Sequence, residues 1–161
     1  MTQDSPIANP VTFDAASIRD LSEIMPVMSA AFDPAHGEAW TLLQCSGIMS
    51  LPGSWLFVAR RTDMLVGFAM GRTIVGEAEL LLIAVAPAAQ RTGVGNGLME
   101  TVMSHLRENG VAKLHLEVRS SNTARAFYDE FGFSSVGLRK NYYRGADGSL
   151  TDALTLSRDI Q

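Results

Sequence analysis

From Glu79 to Arg119 the chain passes through an apolar stretch, a cluster of glycines, an amphipathic stretch and an alternating one, and few folds accept that order. Glu79 to Val85 is nearly unbroken in its apolar character and is closed by Pro87, the pattern of a strand covered on both faces and therefore central in its sheet. Beyond the glycines, Val94, Leu98, Val102 and Leu106 recur at every fourth position. That spacing lays one apolar stripe along a helix, and Gly110 is placed to end it. Lys113 to Arg119 then alternates, with Leu114, Leu116 and Val118 on one face and Lys113, His115, Glu117 and Arg119 on the other, as a strand does. Strand, helix and strand in this order form a parallel crossover with the helix as connector.

The rest of the chain builds around this unit. Val11 to Asp14 reads as a short strand. From Ala16 to Phe32 the residues Ile18, Leu21, Ile24, Met25 and Met28 fall at helical spacing, and Pro26 is expected to kink or divide that helix. A shorter helix is expected from Glu38 to Ile48. Trp55 to Arg61 and Met64 to Thr73 read as strands joined by a tight turn at Thr62 and Asp63. Asn122 to Phe131 carries Ala124, Phe127, Tyr128 and Phe131 at helical offsets, with Gly132 as its stop, and two strands follow near Ser135 to Tyr143 and Ala153 to Ser157. The outcome is an α/β or α+β sandwich, and no internal repeat or linker divides the 161 residues, so residues 1–161 are expected to pack as one domain.

Composition removes several functions. With 47% hydrophobic and 19% charged residues the chain is too apolar to remain disordered. Its 13 basic against 17 acidic residues leave a net charge of -4, which argues against a nucleic-acid face and suits a cationic substrate. Cys45 is the one cysteine, so no intramolecular disulfide is expected, and the spacing around His36, His105 and His115 is not that of a zinc site. No metal is expected. The first ten residues have neither a basic nor an apolar leader region, and no run has the length of a membrane span, which points to the cytoplasm and away from a membrane.

Gln90 to Gly95 reads Q-R-T-G-V-G and continues Asn96, Gly97, between the buried strand and the amphipathic helix. A helix start offers backbone N–H groups without intrahelical partners and the positive end of the macrodipole, so a phosphate can be held there without a metal. Glycines at 93 and 95 would let a pyrophosphate approach the backbone; equally, they could serve only a tight turn. A P-loop requires Gly-Lys-Ser/Thr at its end, which is missing. A dinucleotide fingerprint lacks its third glycine, and although Glu117 lies at about the right distance, too little chain follows for the remaining crossovers of that fold.

The run I-A-V-A-P-A-A-Q-R-T-G-V-G-N-G-L from Ile83 to Leu98 resembles motif A of the GNAT superfamily of N-acetyltransferases, Q/R-x-x-G-x-G/A, without a gap. L-E-V-R-S-S-N-T-A-R-A-F-Y-D-E-F-G-F from Leu116 to Phe133 resembles motif B, and R-K-N-Y-Y at Arg139 to Tyr143, followed by A-D-G, resembles the RimI type, whose members acetylate the amino-terminal alanine of a small-subunit ribosomal protein. The resemblance is close from Glu77 onward and holds only in outline before it. It implies an α/β (α+β) three-layer sandwich with a mixed, mostly antiparallel sheet and a central parallel strand pair that splays to admit the pantetheine arm of acetyl-CoA. It further implies that Ile83, Ala84 and Val85 line that arm, that the amides of Gln90, Arg91, Thr92, Gly93, Val94, Gly95 and Asn96 hold the pyrophosphate, and that Asn122 adds a side-chain bond. The partner implied is a protein amino terminus; the oligomeric state expected is monomer or homodimer.

Acetyl transfer needs a neutral amine and a protonated or stabilised thiolate. An α-amino group titrates at about 8 and a lysine at about 10.4, so a base helps the second more than the first. In its L-E-V-R context Glu117 matches the family's base; on the residues alone it could instead pair with Lys113 or Arg119 on a solvated face. Tyr128, in F-Y-D-E-F-G-F, matches the family's acid, since a phenol at about 10 stays protonated and can serve a thiolate of about 8.5; its apolar stripe also allows a structural place. Trp40, Tyr142 and Tyr143 match walls for the acceptor, and Glu77 and Glu79 could attract its cation; core packing or a solvated strand end would also account for them. Two other functions remain open: acetylation of a small amine such as a polyamine, aminoglycoside or amino acid, and an acyl-CoA sensor without catalysis.

Overall fold

The computed structural model describes residues 9–160; the leader reading, which falls mostly on residues 1–8, lies outside them. Seven strands form one sheet: β1 Val11–Ala16, β2 Ser54–Arg61, β3 Met64–Ile74, β4 Glu77–Val85, β5 Lys113–Arg119, β6 Ser134–Arg144 and β7 Leu150–Asp159. Their spatial order is β1-β2-β3-β4-β5-β7-β6. Every neighbouring pair is antiparallel except β4 and β5, which are parallel. The crossover between them is α3, Val94–Glu108, and α1 Leu21–Ala31, α2 Leu42–Met49 and α4 Arg125–Glu130 complete the helices.

Two apolar cores follow from this arrangement, one on each face of the sheet. Val94, Leu98, Val102 and Leu106 of α3 are at most 1% exposed and pack with Leu114, Leu116 and Val118 of β5. Leu21, Ile24, Val27 and Met28 of α1, with Cys45 of α2, cover the other face. The result is the three-layer sandwich, helices on both sides of a mixed sheet.

β4 takes part in both cores by means of a bulge. Met70 pairs with Leu82 and Gly71 with Leu80, which leaves Leu81 as an extra residue. An extra residue moves every later side chain to the opposite face. Ala78 and Leu80 accordingly face α3, whereas Leu82 and Ala84 face α1, and Ile83 and Val85 turn back toward the α3 side.

The amino-terminal helices differ from their expected bounds. Ser17 forms a capping box with Asp20 over a 3-10 turn at Ile18–Asp20, so the α-helix starts only at Leu21 and Ile18 is left 48% exposed. Pro26 lies within α1 without dividing it. The second helix begins at Leu42 rather than Glu38, because Thr41 and Gln44 form a capping box there. Glu38 and Trp40 therefore sit in a loop, free to face the sheet.

Candidate active site

β4 and β5 pair only through Glu77–Lys113, Ala78–Leu114 and Glu79–His115. Beyond Glu79 the two strands diverge while each keeps its antiparallel neighbour, β3 or β7. A gap thus opens in the middle of the sheet. Ala86 N–H donates to the Val66 carbonyl at 2.8 Å, with Val85 opposite Gly67. That bond brackets a non-hydrogen-bonded pair, so Val85 turns its own N–H and carbonyl away from β3 and into the gap, and Ile83, two residues earlier, does the same. Gln90 Nε2 donates to the Val85 carbonyl at 3.2 Å, which leaves the Val85 N–H as the donor at the gap's edge.

Two cavities meet there. One, of about 630 Å³, is lined by Ile83, Ala84, Val85, Gln90, Arg91 and Gly95 on one side and by Asn122, Ala124, Phe127 and Tyr128 on the other. The second, of about 330 Å³, lies among Glu38, Trp40, Glu79, Glu117, Tyr142 and Tyr143. Ile83, Asn122 and Tyr128 border both, so the two cavities adjoin at the opening between the strands.

At the first cavity the loop before α3 behaves as its position requires. Gly97 N–H makes the first backbone bond of the helix, to Gly93. No amide from Arg91 to Asn96 has a backbone acceptor among the described residues, which makes this a cradle for an anion. The three glycines divide the work. Gly93 caps the helix at φ +89, a conformation other residues rarely adopt. Gly95 lines the cavity, and Gly97 leaves room for Phe13, whose ring would stand 2.1 Å from an added Cβ. The side chains of Thr92 and Val94 do not reach the cavity: the Thr92 hydroxyl donates to the Ala89 carbonyl at 2.6 Å, and Val94 is in the core. Gly93 and Asn96 also stand outside its lining, so these four can contribute only through their amides or from the rim. Asn122 Oδ1 accepts the Ala124 N–H at 2.7 Å, which leaves its Nδ2 for the cavity.

At the second cavity Glu117 pairs with neither Lys113 nor Arg119. Its Oε1 lies 3.3 Å from Arg139 Nε of β6, while Lys113 pairs with Asp159. Arg119 is buried, 5% exposed, and donates to Glu38 at 3.2 Å and to the His36 carbonyl at 3.0 Å, with its guanidinium 5.0 Å from the Tyr143 ring centroid. It ties the loop before α2 to the end of β5. Burial, and then the charge of Glu117, raise the Glu79 carboxyl. Tyr128 packs its ring against Phe127 and Phe133, and its hydroxyl has no hydrogen-bond partner among the described residues. Burial, with a smaller push from Glu38, raises this phenol to about 12.

Tyr142 and Tyr143 both line the second cavity although they are adjacent in a strand. Arg139 pairs with Ala153 and Tyr143 with Thr151, so β6 carries extra residues there, with Asn141 at φ +53 and its N–H held by Asp152. Regular alternation would have sent one ring to each face. Glu38, His36, Arg119 and Arg139 are the site residues that sequence reasoning did not assign. Arg119 was visible only as one member of a charged face, and its partners lie far away in the chain.

A family model for the acetyltransferase (GNAT) domain matches residues 43–144. The chain belongs to the GNAT family. It is 40% identical over 95 residues to the "[Ribosomal protein bS18]-alanine N-acetyltransferase" of Haemophilus influenzae, a match that covers 59% of this chain and 65% of that protein's length. Over nearly the whole chain, 99%, it is 34% identical to the N-alpha-acetyltransferase RimI of Mycobacterium tuberculosis, covering 97% of that protein. Among solved structures, the ribosomal-protein-alanine N-acetyltransferase of Escherichia coli superimposes with a TM-score of 0.85 at 31% identity, covering 94% of this chain and 95% of that one. The parallel pair of this GNAT chain opens beyond Glu79 and His115, as the resemblance implied.

Proposed function

We propose that this chain transfers the acetyl group of acetyl-CoA to the amino-terminal α-amine of a protein, in the manner of the RimI type, with a small-subunit ribosomal protein as the acceptor. The observation that carries this reading is the pair of adjoining cavities at the β4–β5 opening, with free amides beside one and carboxylates and tyrosines around the other.

Acetyl-CoA fits the residues present. The amides from Arg91 to Asn96 offer donors for its pyrophosphate, and the Ile83 and Val85 edges offer the strand-like partners an amide-bearing arm needs. Its thioester supplies the acetyl group. From the other cavity the acceptor enters as a cation among Glu38, Glu79 and Glu117. Glu117 takes one proton from the ammonium and leaves a neutral amine, whose lone pair forms the new C–N bond as the C–S bond breaks. The Val85 N–H is placed to donate to the carbonyl oxygen as it gains charge. Tyr128 hydrogen-bonds the departing sulfur and gives it a proton, and the second proton of the amine nitrogen, shed as the amide forms, returns to the Tyr128 oxygen.

Ala146 N–H donates to the Ala35 carbonyl at 3.1 Å, so the β6–β7 turn meets the loop before α2 beside the second cavity. The test is to supply acetyl-CoA with short peptides bearing free amino termini, lysine peptides, polyamines and aminoglycosides, and to read acetylation by mass. Acetylation of an alanine amino terminus is expected. Activity confined to small amines would replace this reading with a small-molecule acetyltransferase, and binding without turnover would make the chain a sensor.

A further inference from the structure

Arg119 lines the acceptor cavity and Arg139 reaches one of its lining residues, Glu117, from outside the lining, and the two arginines are held in opposite ways. Arg119 is fixed, buried and doubly hydrogen-bonded. The Arg139 side chain is 60% exposed on an edge strand, and among the described residues its one ionic partner is Glu117 at 3.3 Å. Its guanidinium also stands 5.2 Å from the centroid of the Tyr142 ring, itself 51% exposed, so a resting place at the cavity mouth lies beside it.

The groups around Glu117 explain why a cation is needed there. Glu79 of β4 and Glu38 of the loop before α2 line the same cavity; His115 and Arg119 flank Glu117 on β5, and Tyr142, Tyr143 and Arg139 approach from β6. Arg119 is committed to Glu38, and His115 lies 3.0 Å from Glu77. Only Arg139 among these cations pairs with Glu117. Arg139 offsets the same carboxylate charge that an acceptor's ammonium must find in order to lose its proton, so the two cations compete for Glu117.

We infer that Arg139 is a displaceable counter-ion: it sits beside Glu117 in the free enzyme, and the acceptor's ammonium takes its place while the guanidinium withdraws toward Tyr142 and water. This rests on the acceptor reading above. It makes Arg139 a positioning and selectivity residue, since an uncharged chain end has nothing to exchange for it. The exchange forms and breaks no covalent bond, and one ion pair replaces another.

Binding, not turnover, tests it. A short synthetic peptide with a free amino-terminal alanine, and its N-acetylated twin, are titrated calorimetrically into the protein saturated with CoA, which cannot react. Arg139→Ala should tighten the free-amine peptide about two- to fivefold, the range of a partly exposed ion pair, and leave the acetylated twin unchanged. Arg139→Lys, which retains the competing cation, should restore the wild-type Kd. In a Glu117→Gln background the Arg139→Ala gain should vanish. Equal effects on both peptides, no effect, or weaker binding of the free amine would overturn the inference. If neither peptide binds the wild-type protein, the amino-terminal acceptor reading fails instead, and the same comparison with spermidine then decides the exchange on its own.

Discussion

Tyr128 is packed as a core residue, and under the proposed mechanism the same side chain would also serve the chemistry. Its ring fills the core beside Phe127 and Phe133, while its hydroxyl faces the junction of the cavities. Tyr128→Phe should lower turnover roughly 100-fold, a typical general-acid contribution, and leave the acetyl-CoA dissociation constant nearly unchanged in a direct binding assay. The raised phenol also predicts a pH effect on stability. In the unfolded chain this tyrosine ionises at about 10, and in the folded protein at about 12. The stabilisation is therefore fully present below pH ~10 and is lost as pH rises toward the folded value. Chemical denaturation at increasing alkaline pH should show a shallower loss for Tyr128→Phe than for wild type. Glu117→Gln should reduce turnover most at neutral pH, with the deficit narrowing as pH approaches the amine's own pKa; a uniform deficit would assign Glu117 to positioning. That Glu117 and Tyr128 border one cavity was legible because each sits in a motif whose surrounding letters fix its place. Glu38 was not, because its meaning comes from Arg119, 81 positions further along the chain.

At the scale of elements, the period-two and period-four patterns located the strands and the buried stripe of α3, and they failed where a strand departs from its own period. The extra residue at Leu81 carries β4 from one core to the other, and the irregularity at Asn141 brings two neighbouring tyrosines to one cavity. Both depend on which partner residue stands opposite, information that one strand's letters do not hold. The helix limits were missed for a different reason: Ser17 with Asp20 and Thr41 with Gln44 are local caps that override the apolar spacing around them. If the Asn141 bulge sets the tyrosine wall, Asp152→Ala, which removes the acceptor of the Asn141 N–H, should raise the KM for the acceptor several-fold while acetyl-CoA binding stays constant. Gly97→Ala tests the seat of α3 against β1. The added methyl meets the Phe13 ring, and an overpacking cost of about 1–3 kcal/mol should appear as a lower denaturation midpoint.

Across the whole molecule, the sheet consists of a four-strand part, β1 to β4, and a three-strand part, β5, β7 and β6, joined along three residue pairs. Ala112 N–H to the Gly76 carbonyl secures the same closed end. Past it, helices and the Arg119 link to Glu38 and His36 span the divide. Acetyl-CoA at 100 times its Kd should add about 2.7 kcal/mol of stability by linkage, read as a raised thermal midpoint, and hydrogen exchange should slow most at Ile83 and Val85 and in the loop from Arg91 to Asn96. The short join has a wider consequence for anyone who would engineer this chain. Extending the β4–β5 ladder beyond Glu79 and His115 would knit the two parts into a sturdier protein and in the same act seal the passage through which its chemistry runs. Robustness and reactivity compete here for a single row of backbone hydrogen bonds.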